Sequence, residues 1–245
     1  MKFTWDAYRE LLHLLVKHGY AFRCYDDYDT EKRCVILRHD IDNDPIKALK
    51  MAQLENRYGA VSTYFVLVTS DFYNVLSRHN AVTIQRIQRL GHHIGLHFDE
   101  TRYPQIAQDH EAMQRKIRME ADILACVTGV DITSVSMHRP SQGTLEANWE
   151  IPGMVNSYSN VFFRDFKYLS DSRRRWREPV KDIIESEQYP RLHILTHAFW
   201  YNEAEKSIHD TLAAFVNRGS MDRYDTFRPN ITDLASIMPE TDVLQ

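Results

Sequence analysis

Cysteine is scarce and scattered. Cys24, Cys34 and Cys126 are odd in number and far apart, so neither a disulfide framework nor a cysteine-based zinc site is suggested. Glycine and proline, eight of each, gather into no linker, low-complexity tract or repeat, so a single domain over residues 1–245 is expected. No apolar run approaches the ~18–20 residues needed to cross a bilayer, and no transmembrane segment is expected. The opening Met1-Lys2-Phe3-Thr4-Trp5-Asp6 leads into a periodic leucine pattern rather than an apolar signal region, which predicts a cytoplasmic protein. An excess of positive charge is also missing. The net charge of −4 argues against a general nucleic-acid binder. Hydrophobic residues at 43% are enough for a globular core and exclude a disordered chain. Histidine is abundant, with twelve residues, several beside aspartates.

Periodicity predicts alternating helices and strands. Tyr8, Leu11, Leu12, Leu15 and Val16 share one face of a helix over 5–17, capped by Thr4 and ended by Gly19. An apolar strand is expected over 33–38, a helix opening at Asp44-Pro45, and a strand over 60–68. The cycle repeats with helices over 82–90 and 105–128 and strands over 92–97 and 131–137. A strand over 192–196 and a helix over 203–216 follow, whereas 143–189 mixes aromatics, serines and a basic cluster without clear period. Strands alternating with helices of this length imply parallel βαβ units, and an irregular barrel is favoured over a doubly wound sheet.

In both architectures active-site groups gather where strands end. Strand after strand here runs straight into His, Asp or Arg: Arg38-His39-Asp40-Ile41-Asp42, His97-Phe98-Asp99-Glu100, His138-Arg139-Pro140-Ser141 and Thr196-His197. Asp40 and Asp42, two apart, face one side of an extended chain. Together they can hold a cation, or one can bind it while the other acts as base. Asp44 before Pro45 serves instead as a helix cap. His97 alone could be a satisfied polar residue, and His92 and His93 occupy a helix-to-strand turn. Arg139, a cation at a mouth rich in carboxylates, should pair with one of them. His193 is expected inside the sheet, and the remaining histidines are read as structural or solvated.

These segments resemble the polysaccharide deacetylase superfamily (NodB homology, carbohydrate esterase family 4), particularly members with a His-Asp-Xaa-Asp first motif. LRHDIDNDP takes the place of the common TFDDG, AVSTYFVLV resembles the second strand, and GHHIGLHFDE resembles the GHEIGNH segment. MHRPSQG matches the Arg-Pro motif and Leu195-Thr196-His197 the Leu-Xaa-His motif, so the likeness runs from about Cys34 to Trp200. It implies an α/β fold, a distorted (β/α) barrel with about seven repeats. By the same resemblance Asp40 would be the catalytic base, Asp42 and His97 metal ligands, Arg139 the group that holds the base, and His197 the general acid. Asp171 and Trp176 fall where a fourth motif lies beside the site and, with Trp200, are expected to bind substrate. One departure stands out: the usual second histidine is replaced by Thr101. Among His138, Asp99 and Thr101, His138 is the favoured third ligand, because it restores a two-histidine, one-carboxylate set.

The expected chemistry is removal of an acyl group from an acylated sugar or carrier-linked glycan by one divalent metal ion. Mixed nitrogen and oxygen ligation suits zinc first, then cobalt, nickel, iron or manganese. Three rival readings are a hydrolase of a small non-sugar amide, a catalytically inactive carbohydrate-binding relative, and an HD-type phosphohydrolase built on His39-Asp40 and His209-Asp210. The last needs its ligands on packed helices, whereas His39-Asp40 follows a strand.

Overall fold

A computed structural model describes residues 1–107 and 109–243. In chain order the elements are α1 (Trp5–Lys17), β1 (Ala21–Arg23), β2 (Cys34–Ile41), α2 (Pro45–Asn56), β3 (Thr63–Leu67), α3 (Arg78–Arg89), β4 (His93–Asp99) and α4 (His110–Thr128). There follow β5 (Ser134–His138), α5 (Gln142–Glu146), β6 (Val155–Asn156), α6 (Val161–Arg164), β7 (Lys167–Ser170), α7 (Val180–Glu185), β8 (Arg191–Thr196), α8 (Ile208–Phe227) and α9 (Leu234–Ile237). The caps follow local chemistry. Thr4 accepts the Ala7 N–H at the start of α1, and Asp44 accepts the N–H groups of Ile46 and Lys47 ahead of Pro45 in α2.

Every strand pairing is parallel, in the order β6-β5-β4-β3-β2-β8-β7. β1 lies along the first half of β2, and β3 takes over along the second half. The sheet is curled. β2 and β5 are separated by two strands, about 14 Å in a flat sheet, yet His138 Nδ1 lies 3.3 Å from Asp42 Oδ1. An open half-barrel of this kind is the distorted barrel that the sequence predicts.

Alternation along β2 sorts its side chains between two layers. Cys34 and Ile36 face the concave side and pack with Tyr25, Phe65, Phe162 and Phe166, whereas Val35, Leu37 and Ile41 join the larger core beneath the helices. Arg38 and Asp40 continue the concave row above that aromatic floor. Gly95 on β4 makes room for it: a Cβ there would stand 2.5 Å from the Phe65 ring and 2.6 Å from Ser134 Oγ.

Several boundaries differ from expectation for local reasons. β2 runs on to Ile41 because Arg38, His39 and Asp40 are all buried with partners. α4 begins at His110 because Asp109 caps it, and α8 begins at Ile208 because Ser207 does. The region without clear period holds β6 and β7, strands of two and four residues that are too short to show a period. The chain divides into two compact units, Met1–Tyr201 and Asn202–Gln245. All the named strands belong to the first, β8 being the last in chain order; the second holds α8 and α9. No helix among the described residues is long and apolar enough to cross a membrane.

Candidate metal centre

The C-terminal ends of β2, β4, β5 and β8 bring the predicted residues to one place. Asp42, His97 and His138 form the group among the described residues whose ligand atoms converge within 4.8 Å. His97 Nε2 and His138 Nδ1 lie 3.2 and 3.3 Å from Asp42 Oδ1 and 3.0 Å from each other. Asp42 Oδ1 is buried without a hydrogen-bond partner. Burial tends to raise the Asp42 carboxyl pKa, but the imidazoles of His138, His97 and His197 hold it well below the usual value. Ligand atoms about 2.0–2.2 Å from a tetrahedral ion stand about 3.3–3.6 Å apart. The separations of 3.0, 3.2 and 3.3 Å lie at or up to a few tenths of an ångström under that span, and with the orphaned oxygen and the donor chemistry they fit a divalent cation. The neighbouring candidates are otherwise engaged: Asp99 Oδ1 accepts the Thr101 N–H and hydroxyl at 3.1 and 2.6 Å.

His97 is aimed from behind. Its Nδ1 faces Ser136 Oγ at 3.0 Å, so its Nε2 is left toward Asp42. Ser136 Oγ also accepts from Arg38 Nη2. Arg38, fully buried, donates from Nε to Asp40 Oδ1 at 2.9 Å and from Nη2 to Oδ2 at 2.8 Å. This corrects the sequence reading, which gave that contact to Arg139. Arg139 is exposed, and its Nε–H points to His138 Nε2 at 2.9 Å. The geometric reason is that Arg38 lies two residues before Asp40 on one strand, so both face the concave side, whereas Arg139 has turned out of β5. Asp40 Oδ2 stands 3.7 Å from His97 Nε2, beside the ligand group. Burial works to raise the Asp40 carboxyl pKa, but Arg38 and His97 keep it lowered.

His197 approaches from the other side, its Nε2 3.9 Å from Asp42 Oδ2. Its Nδ1 meets Asp171 Oδ1 at 2.6 Å, and its backbone N–H donates to both Asp171 oxygens at 3.1 Å. Burial disfavours the imidazolium, but the Asp171 charge and hydrogen bond outweigh it and raise the pKa to about 9. Asp171, expected to bind substrate, is fully buried and its carboxylate is hydrogen-bonded to His197. Trp176 and Trp200 sit half-buried against the core on the segments after β7 and β8.

His39 faces away from its neighbour Asp40. Its Nδ1 contacts Thr196 Oγ1 at 2.6 Å and its Nε2 contacts Glu55 Oε1 at 2.7 Å, on the helix-covered side. Glu55 also accepts from Tyr8, Ser62 and Tyr64. His193 lies in the sheet interior as expected, its Nε2 2.8 Å from the Tyr25 hydroxyl. Burial, with the Arg38 charge, drives the His193 pKa down to about 3 and keeps that ring neutral. Sequence reasoning missed Arg38 and the part played by Asp171. The two-residue spacing of Arg38 and Asp40 was the available signal for the first.

No family model matches the chain, and no curated protein matches it. Among solved structures it is similar to a family 4 carbohydrate esterase from Bacillus anthracis, at 16% identity over 88% of this chain and 86% of that one, TM-score 0.46. The catalytic domain of a peptidoglycan N-acetylglucosamine deacetylase from Eubacterium rectale shows 13% identity over 84% and 90%, TM-score 0.47. The chitin deacetylase of Colletotrichum lindemuthianum shows 14% identity over 82% and 87%, TM-score 0.42.

Proposed function

We propose that the protein is a metal-dependent hydrolase that removes an acyl group from the nitrogen of an acylated sugar or sugar conjugate. The observation that carries this reading is one cluster holding three separable roles: a ligand set, a carboxylate kept ionised, and an imidazole kept protonated. Asp42, His97 and His138 would hold the cation, which when bound polarises a carbonyl and eases ionisation of water. Zinc suits the donor set, as do cobalt, nickel, iron and manganese. Asp40, kept charged by Arg38, accepts the proton that the attacking water gives up. His197, held at Nδ1 by Asp171, presents Nε2 and delivers its proton to the departing nitrogen as the carbon–nitrogen bond breaks. The products are an acid and a free amine. Trp200 and Trp176, on neighbouring loops, are suited to stack on a sugar ring.

The test has two measurements. Metal content of purified Asp42→Ala, His97→Ala and His138→Ala is expected to fall well below that of the parent, because each leaves an incomplete set. The parent, supplied with each metal in turn, should release acetate from N-acetylated sugars in step with the appearance of free amine. Full metal occupancy in all three variants would overturn the ligand assignment. Failure to release acetate from any acylated sugar would overturn the activity.

A further inference from the structure

With Arg38 bound to Asp40, Arg139 at the mouth has no anionic partner among the described residues. Each carboxylate that ends a strand there is already committed. Asp40 is held by Arg38, Asp42 faces the imidazoles and Asp171 holds His197. Asp99 accepts from Thr101, and Glu100 accepts from the Ser141 N–H and the Thr144 hydroxyl. Among the described residues the polar contact of the Arg139 guanidinium is with His138 Nε2. That contact requires Nε2 to be an acceptor. An imidazole bound to a cation through Nδ1 carries its hydrogen on Nε2, where it would face the Arg139 N–H donor to donor. Ligation by His138 at Nδ1 therefore frees Arg139.

The backbone at Arg139 is also unusual, a property it shares with Asn148, Arg173, Arg174 and Glu187. Arg139 has φ +50°, a left-handed conformation that non-glycine residues rarely adopt, immediately after His138. Arg173 adopts φ +59° on the turn that follows Asp171, and Arg173 and Arg175 are exposed with no side-chain ion pair or hydrogen bond among the described residues. In a chain of net charge −4, guanidinium groups without an anionic partner among the described residues thus follow β5, which carries His138, and β7, which leads to Asp171. A guanidinium matches the planar oxygens of carboxylate or phosphate with two parallel N–H donors.

We infer that Arg139 is a specificity residue that reads an anionic oxygen group, phosphate or carboxylate, on the acylated sugar. The substrate class is then an acylated sugar phosphate or an acylated sugar acid rather than a neutral acylated sugar. This rests on the hydrolase reading for the bond that is cut, but recognition of the anion can be measured without turnover.

The test is calorimetric titration of the zinc-loaded full chain carrying His197→Gln, which leaves the probes intact. The probes are N-acetylglucosamine, N-acetylglucosamine 1-phosphate and an N-acetylated aminouronic acid. At least one anionic probe should bind about tenfold or more tightly than the neutral sugar, and which one does so identifies the anion. Adding Arg139→Gln should abolish that preference, and Arg139→Lys should restore part of it. Equal affinity for charged and neutral probes overturns the inference. So does a preference that survives Arg139→Gln, since the anion would then be held by the metal or by Arg173 and Arg175. Preferential binding through Arg139 with no acetate released by the parent would sink the hydrolase reading and leave this one standing.

Discussion

Replacing Arg38 by glutamine strikes the most heavily shared group in the cluster. Arg38 and Asp40 are 0% and 5% exposed, and two hydrogen bonds of 2.9 and 2.8 Å join them. Removing the guanidinium leaves a desolvated carboxylate without its counter-charge, a change that costs about 3–5 kcal/mol. For a unit of this size each kcal/mol moves Tm by roughly 2–4 °C, so a fall of about 6–20 °C at pH 7 is expected. The pH dependence has a defined sign. Burial would raise the Asp40 carboxyl pKa, but Arg38 and His97 hold it lowered in the folded state. Its contribution to stability is therefore present above the unfolded value near ~3.9 and fades as pH falls through the lower folded value. In Arg38→Gln the burial effect is unopposed by the guanidinium, so Asp40 takes up a proton at higher pH and the acid limb of turnover moves up with it. The double variant Arg38→Met/Asp40→Asn lacks both charges and should regain most of the lost stability. Urea denaturation between pH 5 and 8 compares the three proteins. A single-variant loss under about 1 kcal/mol, the level of an exposed pair, would refute the argument, as would a double variant no more stable than the single one.

His197→Ala should keep the metal and lower turnover by on the order of 10²–10⁴-fold, the range for a general acid; a near-normal rate on an amide substrate would remove His197 from the mechanism. Asp171→Asn should bring the His197 pKa down from about 9. A raised histidine pKa stabilises the fold fully below its unfolded value near ~6.5, and this is lost as pH rises through the folded one. The variant should lose that contribution, and an unchanged His197 titration by nuclear magnetic resonance would contradict the pairing. Gly95→Ala places a methyl 2.5 Å from the Phe65 ring and should cost about 1–3 kcal/mol by overpacking. Combining it with Phe65→Leu should recover part of that loss in thermal denaturation, and no recovery would count against the close contact.

What the sequence revealed depends on distance along the chain. The apolar runs of β2, β4, β5 and β8 are legible because each runs directly into His, Asp or Arg, and parallel βαβ order places those ends on one rim. Asp42, His97 and His138 could each be nominated from their positions after a strand. Their meeting could not be read, because Asp42 and His138 come from β2 and β5 and touch only when the sheet curls. A local property decides which arginine serves Asp40. By residue chemistry alone Arg38 and Arg139 are equivalent, and only the alternation of β2, continued to Ile41, places Arg38 beside Asp40. Asp171 was hard to interpret for a different reason. It follows the four-residue β7 in a stretch of aromatics, serines and arginines, and its partner His197 lies 26 positions further on.

The same alternation gives His39 a physical role that its place beside Asp40 conceals. His39 and Thr196 stand opposite each other in the parallel register of β2 and β8, and they are joined on the helix-covered face at 2.6 Å. Asp40 is the next residue of β2 and His197 the first residue after β8, and both project to the concave face. The contact between His39 and Thr196, anchored to Glu55 on α2, thus fixes the relative height of the proposed base and the proposed acid. A one-residue slip between β2 and β8 would separate His39 from Thr196 and displace Asp40 from His197 by one strand rise, about 3.3 Å. That is enough to carry a proton donor out of hydrogen-bonding range of a reacting atom. The buried polar cluster around Glu55 therefore belongs to the same arrangement as the candidate metal centre, although it lies on the opposite side of the sheet.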